Sequence, residues 1–86
     1  MKAWPEWWTY ELIISPHVVE RMQERGFTEV DLRQMLDDAA GYRPSAMPGR
    51  FVIQTALGSA AWEVVVEPDE LDRLLIVVTA YGVEST

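Results

Sequence analysis

The chain has 86 residues, 49% hydrophobic and 24% charged, with no cysteine and a formal net charge of −7. That size and balance describe one folded domain and leave no room for a second. The missing thiols exclude disulfide frameworks and thiolate metal sites, and the acidity weighs against broad nucleic-acid binding, which draws most of its affinity from basic footprints.

The N-terminus lacks the pattern of a signal peptide. No apolar run approaches the roughly 20 residues of a membrane span. A cytoplasmic protein without membrane contact is expected. The charge is uneven. Between Ser15 and Arg50, five arginines stand against six acids; from Phe51 onward, Arg73 stands alone against six. A local basic site in the first half is therefore compatible with an acidic whole.

Residues 1–9 form a Trp-rich arm, with Trp4, Trp7 and Trp8 around Pro5. Three indoles in so short a stretch either cover an open side of the core or make a contact. Trp is favoured at interface hot spots, so a homodimer through these residues, or a partner protein, is expected on the second reading. Tyr10 to Ile14 is apolar and β-branched enough for a short strand or an extended lead-in.

Ser15 to Gly26 (SPHVVERMQERG) carries start and stop signals for one helix. Ser15 is an N-cap, Pro16 suits the first helical position, and Gly26 suits the left-handed position beyond the end. His17, Arg21 and Arg25 recur every four residues and form one slowly drifting row. Val18, Val19 and Met22 occupy the adjoining face and are expected in the core. Phe27 then stands where a hydrophobic staple would, and Thr28 with Asp31 makes an approximate capping box. Leu32, Met35, Leu36 and Ala39 give the second helix its apolar stripe. Tyr42 to Gly49, with two prolines and a glycine, reads as a loop.

From Arg50 the period becomes two. Arg50–Leu57 and Ala60–Glu67 are strands joined by a Gly58-Ser59 hairpin turn. Leu74–Tyr81 is apolar on both faces, as a central strand would be. Residues 10–81 thus read as a helical hairpin followed by a meander, and 82–86 as a tail. The expected fold is α+β, with two N-terminal helices packed on an antiparallel sheet of three to four strands.

The residue types limit the chemistry. The single histidine has no nucleophile context. His17, Glu20 and Glu24 share a helix face, but that pattern is more often surface ion pairing than a metal site, and no cofactor motif is present. Metal-independent acid–base cleavage of RNA fits best. His17 would move protons near neutrality, Arg21 and Arg25 would hold the phosphate, and Thr79 and Tyr81 would add hydroxyls from one face of the last strand. The competing reading is structural: the arginines pair with Glu20, Glu24, Glu29 or Asp31, and the hydroxyls are ordinary strand residues.

The run Ser15, His17, Glu20-Arg21-Met22, Arg25-Gly26-Phe27, closing with Val77-Val78-Thr79 and Tyr81, resembles domain-of-unknown-function family 4258. That family is similar to BrnT and RelE/ParE-type toxins and to the barnase–EndoU–colicin–RelE ribonuclease fold. The resemblance implies a helical start on an antiparallel sheet, and a metal-independent endoribonuclease with His17, Arg21, Arg25 and Thr79 as its site. A cognate antitoxin or immunity protein would be its partner. The alternative is a non-catalytic interaction or regulatory module on the same scaffold, for which the acidity and the tryptophans speak.

Overall fold

A computed structural model describes residues 4–83. After a short 3-10 turn at Glu6–Thr9, the order is β1 (Glu11–Ile14), α1 (Pro16–Arg25), α2 (Glu29–Asp37), β2 (Gly41–Pro44), β3 (Phe51–Leu57), β4 (Ala60–Asp69) and β5 (Leu74–Gly82). The five strands form one sheet in the order β1-β5-β4-β3-β2. Pairing is antiparallel except between β1 and β5, which run parallel with Leu12 opposite Leu75 and Ile14 opposite Val77.

This corrects the expected architecture of two leading helices on three or four antiparallel strands. The sheet is mixed and five-stranded, and strand residues outnumber helical ones; of the two readings of Tyr10–Ile14, the short strand is the one that forms. The segment Tyr10–Ile14 is more than a lead-in, because the apolar β5 offers backbone groups on both edges and β1 satisfies the second. Part of the expected loop at Tyr42–Gly49 is the edge strand β2. Its aromatic Tyr42 stacks on Trp4, 5.3 Å between centroids, and meets Trp7 edge-on. Pro44 is tolerated because it ends a strand at the sheet's edge.

The helix signals act as their residue types dictate. The Ser15 hydroxyl accepts the Val18 N–H at 3.4 Å, and Gly26 takes the left-handed conformation with φ of 72°. Thr28 and Asp31 form a reciprocal capping box. Val18 and Met22 from α1 and Leu32, Met35 and Leu36 from α2 meet Ile53, Val64, Val66, Val77 and Ala80 of the sheet. Each such burial stabilises by about 1.5–3 kcal/mol, which outweighs the tenths per residue of helix propensity. Val19, expected in this core, is instead 40% exposed. Trp7 is buried against Phe51, and Trp8 packs on the same cluster, so these indoles cover the chain's own core. Of the expected tail, Gly82 closes β5; residues 84–86 and residues 1–3 of the arm lie outside the described residues.

One irregularity decides which way the last strand points. Val65 pairs with Thr79, but Val66 pairs with Val77, leaving Val78 with no residue opposite it. This bulge inserts one residue and exchanges the faces beyond it. Leu75 and Val77 face the helices before it, and Ala80 faces them after it. Thr79 and Tyr81 therefore project to the side that no helix covers.

Candidate functional site

α1 places His17, Arg21 and Arg25 apart. His17 is exposed in the first turn. Arg21 donates to Glu24 at 3.0 Å, a pair on the helix surface. Arg25 donates to the Ala80 carbonyl oxygen on β5. That carbonyl has a structural need for a donor. Val83 N–H bonds Ala61 O, so alternation along the ladder turns the polar groups of Ala80 away from β4. β1 has already ended at Ile14, and Arg25 supplies the missing donor. With a rise of 1.5 Å per residue, His17 and Arg25 stand about 12 Å apart along the helix axis.

The five residues expected to form one site are thus divided. His17, Arg21 and Arg25 lie on the helix side, and Thr79 and Tyr81 lie on the uncovered side. None of the five lines the hollow beside Trp8 and Leu12 or the hollow beside Phe51 and Glu67.

Tyr81 instead joins groups that the sequence pattern did not single out, and Thr79 shares their face of the sheet opposite Val65. Tyr81 stands opposite Glu63 in the β4–β5 ladder, and its hydroxyl donates to Glu63 Oε1 at 2.7 Å. Arg43 reaches from β2 across β3 and donates to Glu63 Oε2 at 2.9 Å, with its second terminal nitrogen 3.5 Å from Oε1. Farther along the same face Arg50 donates to Glu67 at 3.0 Å. Val52 is only 5% exposed on this side, between its strand partners Arg43 and Val65.

The cluster fixes its own protonation. Hydrogen bonds from Arg43 and then Tyr81 hold the Glu63 carboxyl below its ordinary range, against a smaller opposing effect of burial. The bond to Glu63, with burial, raises the Tyr81 phenol above its ordinary value. Near neutrality the set is an ionised carboxylate between a guanidinium and a protonated phenol. It can accept a proton, donate one and bind an anion. Among the described residues no group of three or more side chains could hold a metal ion.

Glu63 and Arg43 were hidden from a sequence reading for different reasons. Glu63 is an ordinary outward residue of an alternating strand. Arg43 sits in a segment whose prolines suggest a loop. The available signal was that Glu63 and Tyr81 become direct neighbours once the two strands are paired outward from their hairpin end.

Fold and site together define a small α+β domain that covers one face of a mixed sheet with helices and carries a charged cluster on the other. The chain belongs to the family described as domain of unknown function (DUF4258), whose model matches residues 14–82. No curated protein and no solved structure matches the chain. The family match ends at Gly82 and so takes in α1, β2 and the whole Arg43–Glu63–Tyr81 cluster.

Proposed function

We propose that the domain cleaves RNA by metal-independent acid–base chemistry, and that the reaction runs on the uncovered face of the sheet at Arg43, Glu63 and Tyr81. The single observation that carries this reading is the hydrogen-bonded set on that face: guanidinium, carboxylate and phenol within 2.9 Å and 2.7 Å contacts. The likeness to RelE/ParE-type toxins expected of the family points to the same class of reaction.

In this mechanism a phosphodiester binds Arg43 and competes with Glu63 for the guanidinium. The carboxylate then loses the donor that most lowers its affinity for protons and becomes a better base. Glu63 takes the proton of the ribose 2′-hydroxyl, and the 2′-oxygen bonds to phosphorus. The bond from phosphorus to the 5′-oxygen breaks, and Tyr81 gives that oxygen its proton. Transfer of a proton from Glu63 to the Tyr81 phenolate along their hydrogen bond restores both groups. The products are a 2′,3′-cyclic phosphate and a 5′-hydroxyl. Thr79 stands on the same face beside Val65 and contributes a hydroxyl to substrate binding.

The test is incubation of the full chain with a labelled oligoribonucleotide at low salt in EDTA. Cyclic-phosphate ends are expected, and none from a strand carrying 2′-deoxyribose at the cut position. Intact RNA in every condition would end the enzymatic reading.

The second reading is a non-catalytic regulatory or inhibitory module. Its support is that Arg43, Glu63 and Tyr81 saturate one another, as a clamp across four strands would, in a chain of net charge −7. An antitoxin-like protein partner and a Trp-mediated homodimer belong to these proposals equally.

A further inference from the structure

On the helix side, at the end of the sheet where the N-terminal arm folds back, lies a hollow of about 380 Å³ lined among others by Trp4, Trp8, Tyr10, Leu12, Arg33 and Asp37. Its volume falls in the lower range of small-molecule sites. The aromatic wall is held in place before any ligand arrives. Trp4 stacks on Trp8 with centroids 4.3 Å apart, and on Tyr42 as well. Trp8 in turn meets the buried Trp7 edge-on at 6.1 Å.

The charges around the hollow are unequal. Arg33 is neutralised by Glu29 at 3.0 Å. Asp37 forms no salt bridge among the described residues. It lies in the last turn of α2, which has no basic residue and is followed by Asp38. A helix C-terminus already carries partial negative charge, so carboxylates there cost stability and deepen the local negative potential. The net charge of the chain, −7, has the same sign.

We infer that this hollow binds an organic ammonium ion with apolar substituents: its alkyl groups lie against the Trp8 and Tyr10 rings and its charge is balanced by Asp37. Aromatic faces attract a cation most strongly when its apolar substituents leave it weakly hydrated. Anions meet repulsion from Asp37 and from the helix end. The inference stands apart from the proposed RNA chemistry, because Leu12 and Leu75 of this hollow face the helices, whereas Glu63 and Tyr81 face away from them.

The test is titration calorimetry on the full chain with two probes of the same shape: choline, and its neutral carbon isostere 3,3-dimethylbutan-1-ol. Tryptophan emission serves as a second readout. Choline is expected to saturate one site and to bind at least about tenfold more tightly than the isostere. Asp37→Asn, a change at an exposed position, should weaken choline about three- to tenfold and leave the isostere unaffected. Trp8→Phe, which keeps a ring, should retain binding. Equal affinity for the two probes, no saturable choline binding, or indifference to Asp37→Asn would each overturn the assignment.

Discussion

Tyr81 and Glu63 face one another across β5 and β4 as a directly opposed pair, with the phenol donating to the carboxylate at 2.7 Å. Arg43 binds the other carboxylate oxygen, so the bond belongs to a chain of side chains that crosses four strands. Tyr81→Phe removes one hydroxyl and leaves the ring's packing. It should cost about 1 kcal/mol of stability, the usual net worth of one hydrogen bond. RNA cleavage should fall by about 10²–10⁴, the range for loss of one acid–base group. Urea unfolding and initial cleavage rates read the two effects separately. A variant that loses stability and keeps the wild-type cleavage rate would remove Tyr81 from the chemistry.

The two shifted groups predict where stability depends on pH. An unfolded carboxyl titrates near 4.5, and Glu63 in the fold titrates below that. Its contribution is therefore present above 4.5 and is lost as pH falls through the folded value. An unfolded phenol titrates near 10.0, and Tyr81 in the fold titrates above it. Its contribution is full below 10.0 and is lost as pH rises through the folded value. Urea midpoints should thus be flat between these limits as far as this cluster is concerned. Glu63→Gln should flatten the acid limb, and Tyr81→Phe the alkaline one. An acid limb unchanged in Glu63→Gln would mean that other carboxylates govern it.

Arg25 and His17 separate the helix side from the sheet face. Arg25 supplies a donor to the Ala80 carbonyl and places a positive charge in the last turn of α1, where the helix dipole favours it. Arg25→Ala should lower stability by about 1–2 kcal/mol and reduce cleavage only as far as the protein unfolds. His17→Ala should leave both stability and cleavage near wild type. Loss of cleavage in folded His17→Ala, with Tyr81→Phe still active, would return the reaction to the helix.

Much of the local structure was legible in the residues themselves. The caps at Ser15, Gly26, Thr28 and Asp31 are short-range chemistry, and they form as their identities dictate. The alternation of Phe51, Ile53, Thr55 and Leu57 against Trp62, Val64 and Val66 placed two strands. At their turn Gly58 has φ of 61° and no other turn residue has positive φ, as expected for a hairpin with glycine first. The long-range features were not legible. β1 has only four residues and finds its partner about sixty positions away, which no local pattern records. β2 is stabilised by aromatic contacts from Trp4 and Trp7 that override its loop-like prolines. The candidate site was displaced by one residue. In a regular β5, Thr79 and Tyr81 would share the helix-facing side with Leu75 and Val77 and stand near α1. The bulge at Val78 turns them to the other side, where Glu63 and Arg43 wait. A valine among valines carries no signal for that insertion.

Thr55 is the one buried polar residue among the described residues. Met35 lies in the final turn of α2, where carbonyl oxygens have no partner within the helix. Asp38 N–H serves Gln34, Ala39 N–H serves Leu36, and the Thr55 hydroxyl from β3 donates to the Met35 carbonyl. The bond joins helix to sheet in a place closed to water: Thr55 is 9% exposed and Met35 fully buried. Thr55→Val keeps the shape and removes the donor, leaving a buried carbonyl unpaired. That should cost about 1–3 kcal/mol, more than Thr55→Ser, which keeps the hydroxyl and loses one methyl group, about 1 kcal/mol. Urea unfolding of the two variants decides the order. If Thr55→Val is the more stable of the two, the hydrogen bond contributes less than the methyl packing, and the link between α2 and β3 is apolar in origin.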